Sequence, residues 1–208
     1  MSQLAYWDGP GAAKTFTHPL RPERLADIPR DARVLDYGCG YGRLMGELGQ
    51  LGFTDVSGVD LSPALIDRGR SEHPGLRFGV ITDPPAVAAP GGSFDVVLLF
   101  AVLTCVPADA DQRALIAEIA RLLAPGGLLY VSDLLLQDDE RNLARYAADQ
   151  DGPYGVFTTD DGARCRHHSI EHLRGLLGGF EILAEEGVEV ATMNGHRSRG
   201  AQLLARKA

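Results

Sequence analysis

The stretch "VLDYGCGYGRL", Val34 to Leu44, places three glycines in five positions directly behind a short apolar run. Glycine on alternate residues weakens helix and strand alike, because it carries the largest backbone entropy loss and no side chain to pack. Such a stretch belongs where the chain turns sharply or where a ligand touches the main chain. The residues before it, "ARVLDYG" (32–38), read as a buried strand, and those from Tyr41 to Gln50 as a helix. A strand that ends in bare backbone and runs into a helix presents unpaired N–H groups to a ligand.

Working outward, the same alternation continues. "TDVSGVDL" is a second strand, followed by Ser62-Pro63, an N-cap with proline in the first helical turn, opening a helix through about Glu72. "LRFGVI" (76–81) and "FDVVLLF" (94–100) give a third and a fourth strand. Leu115, Ile116, Ile119, Leu122 and Leu123 then share one helical face, and "PGG" (125–127) breaks the chain before "LLYVSD" (128–133), a fifth strand. Short apolar strands separated by amphipathic helices imply a parallel sheet covered on both faces. After Ser169, which can cap a helix through about Leu177, "FEILAEEGVEVATM" and "AQLLARK" read as two strands joined by "NGHRSRG". The expected fold class is therefore α/β: a doubly wound, mostly parallel seven-stranded sheet with a terminal antiparallel strand pair and helices on both faces.

The bulk numbers narrow the partners. A chain of 208 residues buries enough surface to need no disulfide or metal to hold its core. A formal charge of −8 argues against nucleic acid and anionic membrane as partners. "MSQLAYWDGPG" has neither the basic nor the apolar region of a targeting signal, and "VVLLFAVLTCV" (96–106) is about half a membrane span. Cys39, Cys105 and Cys165 are odd in number and share no metal-type spacing, so free thiols in a cytoplasmic protein are expected.

A dinucleotide fingerprint, G-x-G-x-x-G, fails here: counting from Gly38, the sixth position is Arg43. The run Asp36-Tyr37-Gly38-Cys39-Gly40-Tyr41-Gly42 instead resembles the acidic-x-G-x-G-x-G motif of the class I S-adenosylmethionine-dependent methyltransferases, small-molecule type. Further matches follow in order. Asp60, in "GVDLS", stands where the family's acidic residue accepts both ribose hydroxyls; a carboxylate offers two acceptors to a vicinal diol. Asp83 stands where the family's aspartate faces adenine, and "FDVVLLF" and "RLLAPGGLLYVSD" resemble the later strand motifs. The resemblance covers about residues 32–135. It implies S-adenosyl-L-methionine as cofactor, with Asp36, Gly38, Gly40, Tyr41, Asp60, Leu61, Asp83 and Phe100 around it; Arg43, in the first turn after the glycines, has either the cofactor's carboxylate or a surface acid as its candidate partner. Two departures stand out. Pro84 has no N–H to offer adenine, and "VLTCV" carries no histidine after the fourth strand, where many small-molecule members have one.

The resemblance divides the single domain, 1–208, into an N-terminal lid segment (1–30), a cofactor-binding core (31–135), a substrate-capping insert (136–168), and the last helix with the antiparallel pair (169–208). The insert reads as a helix over 138–148 and a hairpin turning at Asp161-Gly162. A base is needed only where the acceptor arrives protonated, and histidine suits it near neutral pH. His167 and His168 at the end of the insert, and His18 in the lid, are the catalytic candidates. His168 and His172 have the i, i+4 spacing of a metal pair, but Ser169 as cap leaves His168 outside the helix and no acidic third ligand follows, so no metal is expected. The expected function is methyl transfer to O, N or S of a small molecule, with a homodimer possible. The alternatives are a non-methylating user of the same cofactor, of cyclase or decarboxylase type, a nicotinamide-dependent oxidoreductase, and a binding protein without turnover.

Overall fold

The computed structural model describes residues 2–149 and 152–208. Its strands are β1 (Arg33–Tyr37), β2 (Asp55–Asp60), β3 (Arg77–Val80), β4 (Phe94–Phe100), β5 (Leu123–Leu134), β6 (Val156–Thr158), β7 (Arg164–Arg166), β8 (Phe180–Ala191) and β9 (Arg197–Lys207). Its α-helices are α1 (Gln3–Trp7), α2 (Arg43–Gln50), α3 (Pro63–Glu72), α4 (Asp109–Leu122), α5 (Glu140–Ala148) and α6 (Ile170–Leu176). Seven strands form one sheet in the order β3-β2-β1-β4-β5-β9-β8. The first five are parallel, and β9 runs antiparallel to both β5 and β8.

Side-chain alternation along the central strands explains why both faces are covered. Leu35, Val97 and Leu99 point into a cluster with Leu115, Ile116 and Ile119 of α4 and Leu173 of α6. Val34, Val96, Leu98 and Phe100 point the other way, onto Leu44, Met45 and Leu48 of α2 and Ile66 of α3. Consecutive apolar runs such as residues 96–100 thus feed two cores at once. The helix caps are those the sequence offers: the Ser62 and Ser169 side chains accept from the N–H groups of Leu65 and His172.

Three boundaries differ from the sequence reading. Gly40 and Gly42 have φ of +53° and +85°, outside helical space, so α2 begins at Arg43 and Tyr41 lies in the turn. Pro125-Gly126-Gly127 bulges without ending the strand: Phe94 pairs with Leu123 and Val96 with Leu128, so β5 absorbs Leu123 and the three turn residues. The "RSRG" segment (197–200) is strand, with Ser198 and Gly200 buried and Arg197 and Arg199 exposed, which shortens the β8–β9 turn to Thr192–His196.

The insert keeps its expected form of helix and hairpin. Gly162 takes φ +92° in the turn, and Thr159 N–H donates to Ala163 O at 2.8 Å. Its end is tied to the sheet: His168 N–H donates to Leu134 O (3.0 Å) and Leu136 N–H to His168 O (2.8 Å). The hairpin therefore hangs over the carboxyl ends of the parallel strands. Among the described residues, no helix is long and apolar enough to cross a membrane.

Candidate active site

The glycine turn folds back over the end of β2. Gly38 and Cys39 N–H both donate to Val59 O, at 2.8 and 3.0 Å. Asp60, the last residue of β2, then accepts from Gly40 N–H at Oδ2 and from Ser62 N–H at Oδ1, both at 2.9 Å. Burial raises the Asp60 pKa, while those two N–H groups and that of Leu61 pull it back. Each carboxylate oxygen keeps a second lone pair for a ligand. Bare backbone is required at the turn. A Cβ on Gly38 would come within 2.4 Å of Val102 Cγ2, and one on Gly40 within 1.9 Å of Phe16 Cε2.

Asp36 is the least compensated group of the site. It is fully buried, its Oδ2 has no partner, and burial pushes its pKa up to about 7, against the opposing pull of Arg43. An orphaned carboxylate oxygen on a cavity wall calls for a cation or a hydrogen-bond donor from a ligand.

The cavity encloses about 180 Å³. Asp36, Gly38, Asp60, Leu61 and Phe100 line its core side, Trp7, Phe16 and His18 its roof, and residues of α5 and the hairpin its far end. The N-terminal segment is fastened at both sides. Asp8 accepts from the Ser62 hydroxyl (2.8 Å) and Ala64 N–H (3.0 Å), and Arg68 donates to Ala12 O and Lys14 O. Across the gap, Tyr6 Oη donates to Asp161 Oδ2 (3.0 Å), Lys14 pairs with the same carboxylate at 2.8 Å, and Lys14 Nζ donates to Asn194 Oδ1. Trp7, Phe16 and Tyr41 form an edge-to-face and tilted aromatic series beneath this strap.

Among the candidate bases, His18 and His167 line the cavity and His168 does not. Burial lowers His18 to about 4, with Asp133 opposing, and its Nδ1 meets Ser132 Oγ at 3.0 Å. Burial also lowers His167 to about 4, and its Nδ1 meets Tyr146 Oη at 2.6 Å. Among the described residues, neither ring's Nε2 has a hydrogen-bond partner. His168 instead meets Gln112 Nε2 through its own Nε2 (2.8 Å), with Nδ1 3.5 Å from Asp133 Oδ1. Gln112 Oε1 takes His172 Nε2 at 2.7 Å, so both members of the metal-spaced pair are bonded to one amide.

The other sequence candidates divide. Gly40 and Tyr41 sit beneath Phe16, Tyr41 with the Arg68 guanidinium 3.7 Å from its ring centroid, and neither lines the cavity. Asp83 is exposed in a turn closed by Ala86 N–H to its carbonyl, also away from the cavity. Arg43 lines the cavity but is held by Glu47 (2.6 Å) and His18 O (2.5 Å). Cys105 and Cys165 line it as free thiols that burial keeps protonated. Sequence reasoning missed Arg141, Arg145 and Tyr146. The signal available was an i, i+4 arginine pair on the insert helix, which does not reveal the face turned inward.

Comparison with known proteins agrees with this geometry. A family described as methyltransferase domain matches residues 13–184. The ubiquinone biosynthesis O-methyltransferase of Xanthomonas axonopodis pv. citri is 38% identical over 140 residues, 62% of this chain and 56% of that protein. That of Burkholderia multivorans is 36% identical over 157 residues, 70% of this chain and 63% of that protein. The chain thus spans little more than half the length of the curated relatives it matches. A crystal structure of a SAM-dependent methyltransferase from Methanosarcina mazei aligns over 90% of this chain and 98% of its own, with a TM-score of 0.82 and 26% identity. With the profile spanning the glycine turn, Asp60 and the insert, the chain belongs to the class I S-adenosylmethionine-dependent methyltransferase domain family.

Proposed function

We propose that this protein transfers a methyl group from S-adenosylmethionine to an oxygen, nitrogen or sulfur of a small molecule, with oxygen favoured by the named relatives. The observation that carries the reading is the joint placement of the glycine turn, Asp36 and Asp60 on one wall of the cavity. These residues fit the donor. Asp60 has acceptor capacity for a vicinal diol, and the orphaned Asp36 Oδ2 suits the ammonium of the methionine part. The main chain at Gly38 stays bare on the cavity wall, because a Cβ there would clash with Val102. When bound, S-adenosylmethionine supplies an electrophilic methyl group on a sulfonium.

The chain's own task is positioning and exclusion of water. The strap and the hairpin close over the site, so an acceptor held there meets the donor in line. His167 receives the acceptor's proton. Low basicity keeps its ring neutral at pH 7, and in the tautomer whose Nδ1–H donates to Tyr146 Oη, Nε2 holds the free lone pair. Tyr146 is a positioning residue, itself fixed by Gln137 N–H at 3.2 Å. The nicotinamide reading loses its support, because the family profile covers the very turn that would hold a pyrophosphate.

A label-transfer assay with tritiated donor against pooled small-molecule extracts tests the activity. His167→Gln should lower kcat by about 100-fold or more with S-adenosylhomocysteine affinity retained, the usual range for losing a general base. Tyr146→Phe should displace the acid limb of the kcat/KM profile while changing the donor's KM little. Full activity in His167→Gln would remove that residue from the chemistry and leave His18 as the candidate.

A further inference from the structure

The cavity is charged unevenly. Asp36 and Asp60, the acids on its lining, both lie at the glycine-turn end. The opposite end is walled by Arg141, Asn142, Arg145, Phe157 and His167, with no carboxylate among them. Several arginines elsewhere are closely paired: Arg33, Arg121, Arg166 and Arg174 each lie 2.6 or 2.7 Å from a carboxylate oxygen. The two on α5 are not. The Arg145 side chain is 17% exposed, yet among the described residues the carboxylate it pairs with, on Asp160, is 4.0 Å away and stands fully in solvent. Its guanidinium lies 5.3 Å from the centroid of the Phe157 ring, on the apolar wall. Arg141, one helical turn earlier and half-buried, makes no hydrogen bond or ion pair among the described residues. Asp139, the N-cap of that helix, is already occupied by Asn142 N–H and Nδ2–H.

A guanidinium withdrawn from water without a close anion is costly, and the cost is recovered when an anion arrives. The planar fork matches carboxylate and phosphate oxygens in pairs. We infer that Arg141 and Arg145 recognise an oxyanion on the methyl acceptor, a compact molecule with an apolar body against Phe157 and its reacting atom turned toward His167. The inference rests on the methyl-transfer reading of the same cavity and adds the acceptor's chemical class to it.

Calorimetry on the whole chain, saturated with S-adenosylhomocysteine, tests this with matched probes: 3-hydroxybenzoate, 3-hydroxybenzamide and 3-hydroxyphenyl phosphate. At least one anionic probe should bind tenfold or more tightly than the amide, and which one does so distinguishes carboxylate from phosphate. Arg141→Gln and Arg145→Gln should each remove most of that preference, with S-adenosylhomocysteine affinity within twofold of wild type, which also reports that the variants fold. Equal binding of anions and amide by the wild type, no binding of any probe, or a preference that survives both substitutions would each overturn the inference. So would loss of S-adenosylhomocysteine affinity in a variant with an unchanged circular dichroism spectrum, which would assign the arginines to the donor's own carboxylate. A wild-type protein that ignores S-adenosylhomocysteine overturns the methyl-transfer reading itself, a result distinct from failing to prefer the anion.

Discussion

Asp60→Ala is expected to weaken S-adenosylhomocysteine binding by at least tenfold, and by up to about 100-fold, as measured by isothermal titration calorimetry. Lost hydrogen bonds to a charged group cost about 1.5–3 kcal/mol, and each 1.4 kcal/mol is a factor of ten. The structure adds a second reason for a large effect. Asp60 is the acceptor for the N–H groups of Gly40 and Ser62, so its removal also releases the turn that shapes the donor's side of the cavity. Asp60→Asn should fall between the two, because an amide keeps one acceptor oxygen and sets an NH₂ against a backbone N–H. Unchanged affinity in Asp60→Ala would sink the assignment of this wall to the donor.

The second large effect concerns stability. Asp36 is an acid whose folded-state pKa stands at about 7 against an ordinary 3.8, with burial as the first cause. An acid raised in this way binds its proton more tightly when folded, so it lowers stability progressively as pH rises from about 4 to about 7, and the full penalty persists above that. The shift corresponds to about 4 kcal/mol at pH 8. Asp36→Asn should therefore stabilise the ligand-free protein by about that amount at pH 8 and by almost nothing at pH 4, read from urea unfolding at the two pH values. His18 and His167 work in the opposite sense. Both are lowered to about 4, chiefly by burial, so the stability they allow is present above about 6.5 and is lost as pH falls toward 4. In Asp36→Asn the acid-side fall should thus steepen, since the opposing carboxyl is gone. A variant less stable than wild type at pH 8 would show that Asp36 is compensated by something other than a ligand. The gain in stability should come with weaker donor binding, the usual exchange when a strained functional group is relieved.

The same logic explains what the strap accomplishes. Ser62 is at once the N-cap of α3, a donor to Asp60 through its N–H, and a donor to Trp7 O and Asp8 through its hydroxyl. One small residue thus couples the diol-binding carboxylate to the segment that covers it. On the other side, Lys14 and Tyr6 converge on Asp161 at the tip of the hairpin. Closure of the cavity is carried by contacts between segments far apart in sequence.

By itself the sequence determined the sheet, its two covered faces, the glycine turn and the carboxylate at the end of the second strand. These features are written in local signals. Val34, Leu35, Val96 and Val97 alternate between two cores, Gly38, Gly40 and Gly42 are placed where φ is positive, and Ser62-Pro63 starts a helix. Such patterns depend on period and backbone freedom, both of which a single strand or turn carries alone. Tertiary structure alone decided which histidines face the cavity. His167 and His168 are adjacent, yet the hairpin's attachment to β5 turns the first toward the cavity and Tyr146, and the second toward Gln112 and Asp133. It also decided that Asp83 stands outside, that Phe16 covers Gly40, and that two arginines of the insert line the cavity with no close ion pair among the described residues. Those outcomes depend on how segments distant along the chain dock over the sheet, a long-range packing choice that no residue's sequence neighbours encode.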